Sequence, residues 1–363
     1  MAKQLLNLTQ GFNMSDGMFA GVFDADGSVL IKIDSHVDSN TSKSPNHATI
    51  KQPFGLSISY EFAQSNSKRD LVEKVAAKFG GIPRNTTDNT VFRVGSTSVI
   101  GQKVRDFLIN NKPLYPGRLR DFLLSEEILT LTSQKTQKTK KGLVTLIHLA
   151  YSNSYNLKKC KRTKDLQYWI DQINPLPGDL AAGQAEASAI VRVVEQQVAA
   201  LEGALLTKTL SLDYIRGAHY GDGGLTVSLT WKPNKANRLR TEPEWTISGE
   251  NKSYCAAFVH TFNKGTVNKA GANCHKYKLS GIAACKKTLS IFENTWMPSY
   301  KQQQLAKFEQ ALDLLKAKKH LTKQGATDLV NLVYDMSEKG QREYSKQQYI
   351  DWAHNWLDKK GYK

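Results

Sequence analysis

The sequence has little cysteine, no long apolar run and a shortage of acid. Four cysteines occur in 363 residues, Cys160, Cys255, Cys274 and Cys285. Their wide spacing contains no CxxC pair, which argues against a disulfide framework or a zinc site and for reduced thiols in a non-secreted protein. No segment approaches the roughly 20 apolar residues that span a bilayer, so no membrane partner is expected. The N-terminus, MAKQLLNLTQGFNMSDG, has no apolar h-region and is not arginine-rich, so neither signal nor transit peptide is expected. A soluble protein follows, of unassigned compartment. Its origin fits an organelle genome (chloroplast or mitochondrion), a bacterium or a virus equally. Acid is the other deficit: 33 Asp and Glu stand against 50 Lys and Arg, a formal charge of +17. Such a surplus points to a polyanionic partner, because each base facing a phosphate releases condensed counterions.

What is present is a core and a repeat. Hydrophobic residues make up 40% and aromatics 9%, enough for packed interiors, and 363 residues suit two domains. Residues 18–33 and 214–229 share one layout: a short apolar segment, an acidic residue followed by Gly, then strand-like alternation. The same order continues downstream. Residues 55–62 precede a helical pattern over 70–79, and residues 244–248 precede one over 254–262. Strand-like 91–96 and 275–281 then lead into amphipathic 101–108 and 284–292. Pro113 and Pro298 follow, each before a longer helix. The pattern predicts an α+β protein of two pseudo-symmetric αββαββα repeats, 1–165 and 208–363, joined by a linker, 166–207. Within the linker, 175–178 is expected as a turn and 184–206 as a helix crossing the surface. The run Gln134–Lys141 is a basic loop, solvated or brushing a phosphate.

In the two leading segments Gly21 and Ala25, and Gly217 and Gly221, put small residues on one helix face, which permits close backbone approach. Asp26 and Asp222 end the segments at one shared position. Taken alone, an Asp-Gly pair is a common turn signal; repetition in register argues for more.

Phe19–Gly27, FAGVFDADG, resembles the signature of the LAGLIDADG homing endonucleases, and Ile215–Gly223, IRGAHYGDG, is a degenerate second copy. The resemblance covers most of the chain through the downstream repeat. It implies saddle-shaped antiparallel sheets, motif helices packed at the domain interface, and a monomer that hydrolyses both strands of duplex DNA at a long asymmetric site. Tyr220 stands where the first copy has Asp24, and Arg216 and His219 fill usually apolar positions. Carboxylates at helix C-termini oppose the dipole and repel each other. A divalent cation relieves both penalties, which points to a metal site built from Asp26, Asp222 and the carbonyls of Ala25 and Gly221. All-oxygen donors favour Mg²⁺; two or three ions are expected, with Mn²⁺ as substitute and Ca²⁺ binding without turnover. Carried over from the family, Gln64, Lys68 and Arg118 supply the polar and basic groups in the first half, and Lys252 and Lys301 in the second. Each base reads equally well as solvated surface. The same fold also serves as an intron RNA maturase, which leaves intron RNA as an alternative partner.

Strand parity after each aspartate sorts the faces. Val29, Ile31 and Ile33 belong under the helices. Ser28, Leu30, Lys32, Asp34 and His36 form a mixed face suited to base edges and phosphates. In the second half Gly223, Leu225, Val227, Leu229 and Trp231 go inward, and Gly224, Thr226, Ser228, Thr230 and Lys232 outward. Further candidate DNA contacts are Ser57, Ser59, Glu61, Arg84 and Arg93, then Arg238, Arg240, Lys276 and Lys278. Such sheets would lie along the major groove.

Overall fold

A computed structural model of the chain describes residues 14–35, 53–153, 164–232, 238–272, 274–336 and 344–361. Cys160 and His36 lie outside the described residues, as do the side chains of Trp231, Lys232 and Arg238.

The first repeat runs α1 (Asp16–Asp26), β1 (Gly27–Ser35), β2 (Phe54–Ser65), α2 (Arg69–Phe79), β3 (Arg84–Asn85), β4 (Asn89–Gly95) and α3 (Val99–Asn110). Then come α4 (Pro116–Ser133), α5 (Lys140–Ser152), α6 (Leu166–Ile173) and α7 (Pro177–Leu205). The second repeat is α8 (Leu212–Asp222), β5 (Gly223–Lys232), β6 (Arg238–Gly249), α9 (Lys252–Phe262), β7 (Thr266–Gly271), β8 (Cys274–Ser280) and α10 (Ile282–Leu289). It ends with α11 (Ser299–Lys316), α12 (Lys323–Asp335) and α13 (Lys346–Lys359). Two four-stranded antiparallel sheets result, ordered β1-β2-β4-β3 and β5-β6-β8-β7. The α+β two-repeat architecture is the one the sequence predicts.

Repetition extends beyond the sheets. Both α4 and α11 have 18 residues and are followed by a left-handed lysine, Lys135 or Lys318, and a 3₁₀ turn. Thr139 and Thr322 then cap α5 and α12 by accepting from the N–H of Gly142 and Gly325. A Cβ on either glycine would fall 2.0 Å from the preceding turn's carbonyl oxygen, Thr136 or Lys319, so the tight corner requires glycine there.

The described chain forms two compact units that cut across the sequence halves. One comprises Met1–Ala25, Ser65–Lys74 and Leu206–Lys363; the other comprises Asp26–Gln64 and Val75–Leu205. The first motif helix therefore packs within the unit that holds most of the second repeat. The reason lies in its small face. A Cβ on Gly21 would sit 2.1 Å from the Tyr214 carbonyl oxygen, and one on Gly217 1.9 Å from that of Met18. Ser15 and Ser211 cap the two helices, accepting from the N–H of Met18 and Tyr214 at 3.2 Å each, and the Ser15 hydroxyl donates to Asp213 at 2.7 Å.

In this unit Trp245, Tyr277, Phe258, Phe262 and Phe292 form an aromatic core, with Trp245 edge-on to Phe262 at 5.1 Å. The two unexpected residues of the second motif find partners here. His219 accepts at Nδ1 from the Trp245 indole N–H at 3.1 Å and packs 4.6 Å from the Phe292 ring. Burial, and secondarily Lys301, push its pKa well below the usual imidazole value, so it stays neutral. Arg216 donates to the Ile291 carbonyl and to Asp213.

The other unit is centred on Phe54, Leu143, Val144, Ile147, Trp169, Ile170 and Ile173. Helix α7 begins at Pro177, where the sequence suggested a turn, because a proline in the first helical turn forfeits no intrahelical bond. It does not merely cross the surface. A Cβ on Gly183 would fall 2.7 Å from the Lys141 carbonyl, which seats α7 closely on α5.

Strand parity holds with one departure. Val29, Ile31, Leu225, Val227 and Leu229 are buried, and Lys32, Thr226, Ser228 and Thr230 keep access to solvent. Leu30 was expected outward but is 1% exposed, and Ser59, its antiparallel partner, is 9% exposed. An apolar leucine gains about 1.5–3 kcal/mol from burial, so this pair is packed and does not offer a base-reading surface.

Candidate active site

Helix α8 ends on Asp222, which is exposed, and Gly223 then leaves in an extended conformation with φ −79°. The last carbonyls of a helix lack intrahelical donors and carry the negative dipole end. Lys301 answers this position. It lies in the first turn of α11 after Pro298, is only 4% exposed, and donates from Nζ to the Gly223 carbonyl. Tyr300, its neighbour, donates from its hydroxyl to the Tyr220 carbonyl. Tyr220 in turn donates to the Trp296 carbonyl at 2.6 Å, so the α8 terminus and the 296–301 segment hold each other.

These groups open onto a cavity of about 410 Å³ lined by Lys68, Gly221, Asp222, Tyr300, Lys301, Gln303, Gln304, Lys307 and Asp335, among others. Lys68 stands in the 3₁₀ turn Asn66–Lys68, which shares a compact unit with Asp222. The Asp70 carboxylate accepts the Ser299 N–H and Lys74 lies 5.5 Å from the Trp296 ring centroid, docking residues 65–74 on the 296–301 segment. Lys68 was assigned from sequence to the first half's chemistry; the fold places it beside Lys301 and Asp222. Lysines outnumber carboxylates around the cavity, which suits an anionic ligand.

The remaining expected residues do not join this cavity. Lys252 starts α9, is exposed, and does not line it. In the other unit, Asp26 ends α1 half-buried and Gln64 lies near the end of β2. Arg118, in the first turn of α4, lies 5.8 Å from the Tyr115 ring centroid, and its buried Nε has no hydrogen-bond partner among the described residues. Asp24 is buried and accepts from the Tyr214 hydroxyl at 2.6 Å, a packing role. Burial first, then Asp24, drives the Tyr214 phenol well above its usual pKa. Tyr300, Gln303, Gln304 and Lys307 were not singled out from sequence. Their signal was helical spacing, i, i+3, i+4 and i+7 from Tyr300, on a stripe adjoining the buried Phe308, Ala311, Leu312 and Leu315.

Among the outward candidates several pair with each other. The Ser57 hydroxyl donates to Asp34 at 3.0 Å, and Arg93 pairs with Glu61. Lys278 lies 2.6 Å from Glu244 and 3.7 Å from Glu242, which also meets Arg240 at 3.4 Å. The exposed pairs among these are worth about 0–1 kcal/mol; Lys278–Glu244 is part-buried. Arg84 is exposed on its two-residue strand, and Lys276 is half-exposed on β8. Lys232 and Arg238 face each other in the β5–β6 register.

Two αββαββα repeats whose motif helices meet through glycine define the two-repeat LAGLIDADG fold. No protein-family model and no curated protein matches the sequence. Solved structures do. I-SmaMI bound to uncleaved DNA target in the presence of calcium ions superposes with a TM-score of 0.67 at 16% identity, over 90% of this chain and 100% of that one. The I-LtrWI LAGLIDADG homing endonuclease bound to target DNA gives 0.63 at 18% identity, over 89% and 97%. I-SmaMI bound to cleaved DNA gives 0.66 at 16% identity, over 90% and 98%. The chain has the fold of these homing endonucleases. No helix among the described residues is long and apolar enough to cross a membrane.

Proposed function

We propose that the protein is a site-specific endonuclease that hydrolyses both strands of duplex DNA at a long asymmetric target, acting as a monomer with Mg²⁺. The observation that carries this reading is the exposed Asp222 carboxylate at a helix end, in one cavity with Lys68 and Lys301. Without a cation, a carboxylate aimed at DNA repels phosphate. The donor set fits a hard divalent ion: a carboxylate, with the Gly221 carbonyl beside it, and oxygen as the ligand atom. Asp26, with the Ala25 carbonyl, is the proposed counterpart. When bound, the ion would supply a Lewis acid and a more acidic water. Lys301, buried and fixed to the Gly223 carbonyl, would present a desolvated ammonium to charge developing on the phosphate. Lys68 would add a second from the facing turn. Outward residues of both sheets would read base edges and phosphates.

Incubation with a randomised duplex library and Mg²⁺, followed by sequencing of the cut ends, tests the proposal. One recurring asymmetric cut site supports it. Uncut duplex together with tight binding of structured intron RNA would replace it with the maturase reading.

A further inference from the structure

Tyr300 stands where two cationic side chains meet. The Lys68 ammonium lies 5.1 Å from its ring centroid and that of Lys301 5.4 Å. One lysine comes from the turn before α2 and the other from α11, so a single ring serves elements far apart in the sequence. The hydroxyl anchors the ring to the Tyr220 carbonyl, in the last turn of the helix that ends on Asp222. The ring, both lysines and Asp222 line the same cavity.

The Gly223 carbonyl already holds Lys301, and the ring adds one attraction that both ammoniums share. An aromatic face attracts a cation through its quadrupole without cancelling its charge. We infer that Tyr300 is a positioning residue, which keeps Lys68 and Lys301 on the Asp222 cavity, where the phosphate of one DNA strand would lie. The inference rests on the nuclease reading and adds to it a residue that acts through the two lysines. It also makes this centre composite, since Lys68 precedes the second repeat.

The test compares wild-type protein with Tyr300→Phe, Tyr300→Leu and Tyr300→Trp on a supercoiled plasmid carrying the selected target. Tyr300→Phe and Tyr300→Trp keep the ring and should cut both strands within about three-fold of wild type. Tyr300→Leu should slow one strand by about thirty-fold or more, so that nicked circles accumulate. With EDTA present and no cleavage possible, its slope of log affinity against log salt should be flatter by about one to two, as two phosphate contacts loosen. A merely structural defect would slow both strands alike and lower the melting temperature. If Tyr300→Leu does not fold, Tyr300→Met, which also lacks the ring, should show the same single-strand bias. The inference fails if Tyr300→Leu cuts both strands like wild type, or if Tyr300→Phe is as slow as Tyr300→Leu. It fails with the nuclease reading if wild-type protein leaves the plasmid intact.

Discussion

The Cα of Gly217 lies so close to Met18 that a Cβ there would fall 1.9 Å from the Met18 carbonyl oxygen. Backbone cannot swing aside as a side chain tip can, so the helices must part to admit a methyl group. Gly217→Ala and Gly21→Ala should each cost about 1–3 kcal/mol, the range for overpacked interiors. Gly203→Ala, in α7 with nothing within 4 Å, should instead gain about 0.5–1 kcal/mol from helix propensity. Urea denaturation midpoints check the contrast; a Gly217→Ala protein as stable as wild type would contradict the close packing.

Asp222→Asn and Asp26→Asn should each abolish cleavage and leave specific DNA binding nearly unchanged, because affinity is expected from the sheets. Ca²⁺ should support binding without turnover, and EDTA should stop the reaction. Gel-shift and cleavage assays on the same target separate the two effects. Full activity in EDTA would refute the metal assignment.

Lys32 and Ile31 are neighbours on β1, Ile31 buried and Lys32 partly exposed. Lys32→Ala should weaken DNA binding, by about 1–3 kcal/mol at one target position if it reads a base, or uniformly if it meets a phosphate. Ile31→Val should leave sequence preference untouched and cost about 0.5–1.5 kcal/mol of stability. Selection on a target library, paired with thermal melts, tells these apart.

His148, half-buried on α5, has its pKa lowered by burial. The unfolded chain then binds protons better below the ordinary imidazole value of about 6.5, so the stability contribution is full above that pH and is lost as pH falls below it. His148→Gln should therefore lose less stability than wild type between pH 7.5 and pH 5.5. Equal losses in urea titrations at the two pH values would show that this imidazole titrates normally.

The repeat, the sheet parity and the motif helices were legible because they rest on local periodicity. The Gly21 and Gly217 faces and the inward Val29, Ile31, Leu225 and Val227 follow from spacing alone. What sequence could not show depends on distant docking. Lys68 reaches the Asp222 cavity because Asp70 and Lys74 fasten its turn to the 296–301 segment. Tyr300 is an aromatic next to a lysine in sequence, and its role appears only when Lys68 arrives. Leu30 obeyed polarity and not position: an apolar residue on an otherwise polar strand face is packed against neighbours that its own strand does not reveal. His219 and Arg216 looked misplaced because their partners, Trp245 and Ile291, lie on later elements.

The first motif helix belongs to a body completed only by residues from 206 onward. As the chain leaves the ribosome, Met18, Phe19 and Val22, all buried in the finished protein, are therefore made before the α8 backbone that α1 packs against. Synthesis at about 5–20 residues per second keeps α1 from that partner for many seconds. An N-terminal fragment ending near residue 205 should carry this helix exposed and be prone to aggregate. The first motif helix and the second repeat thus fold as one body.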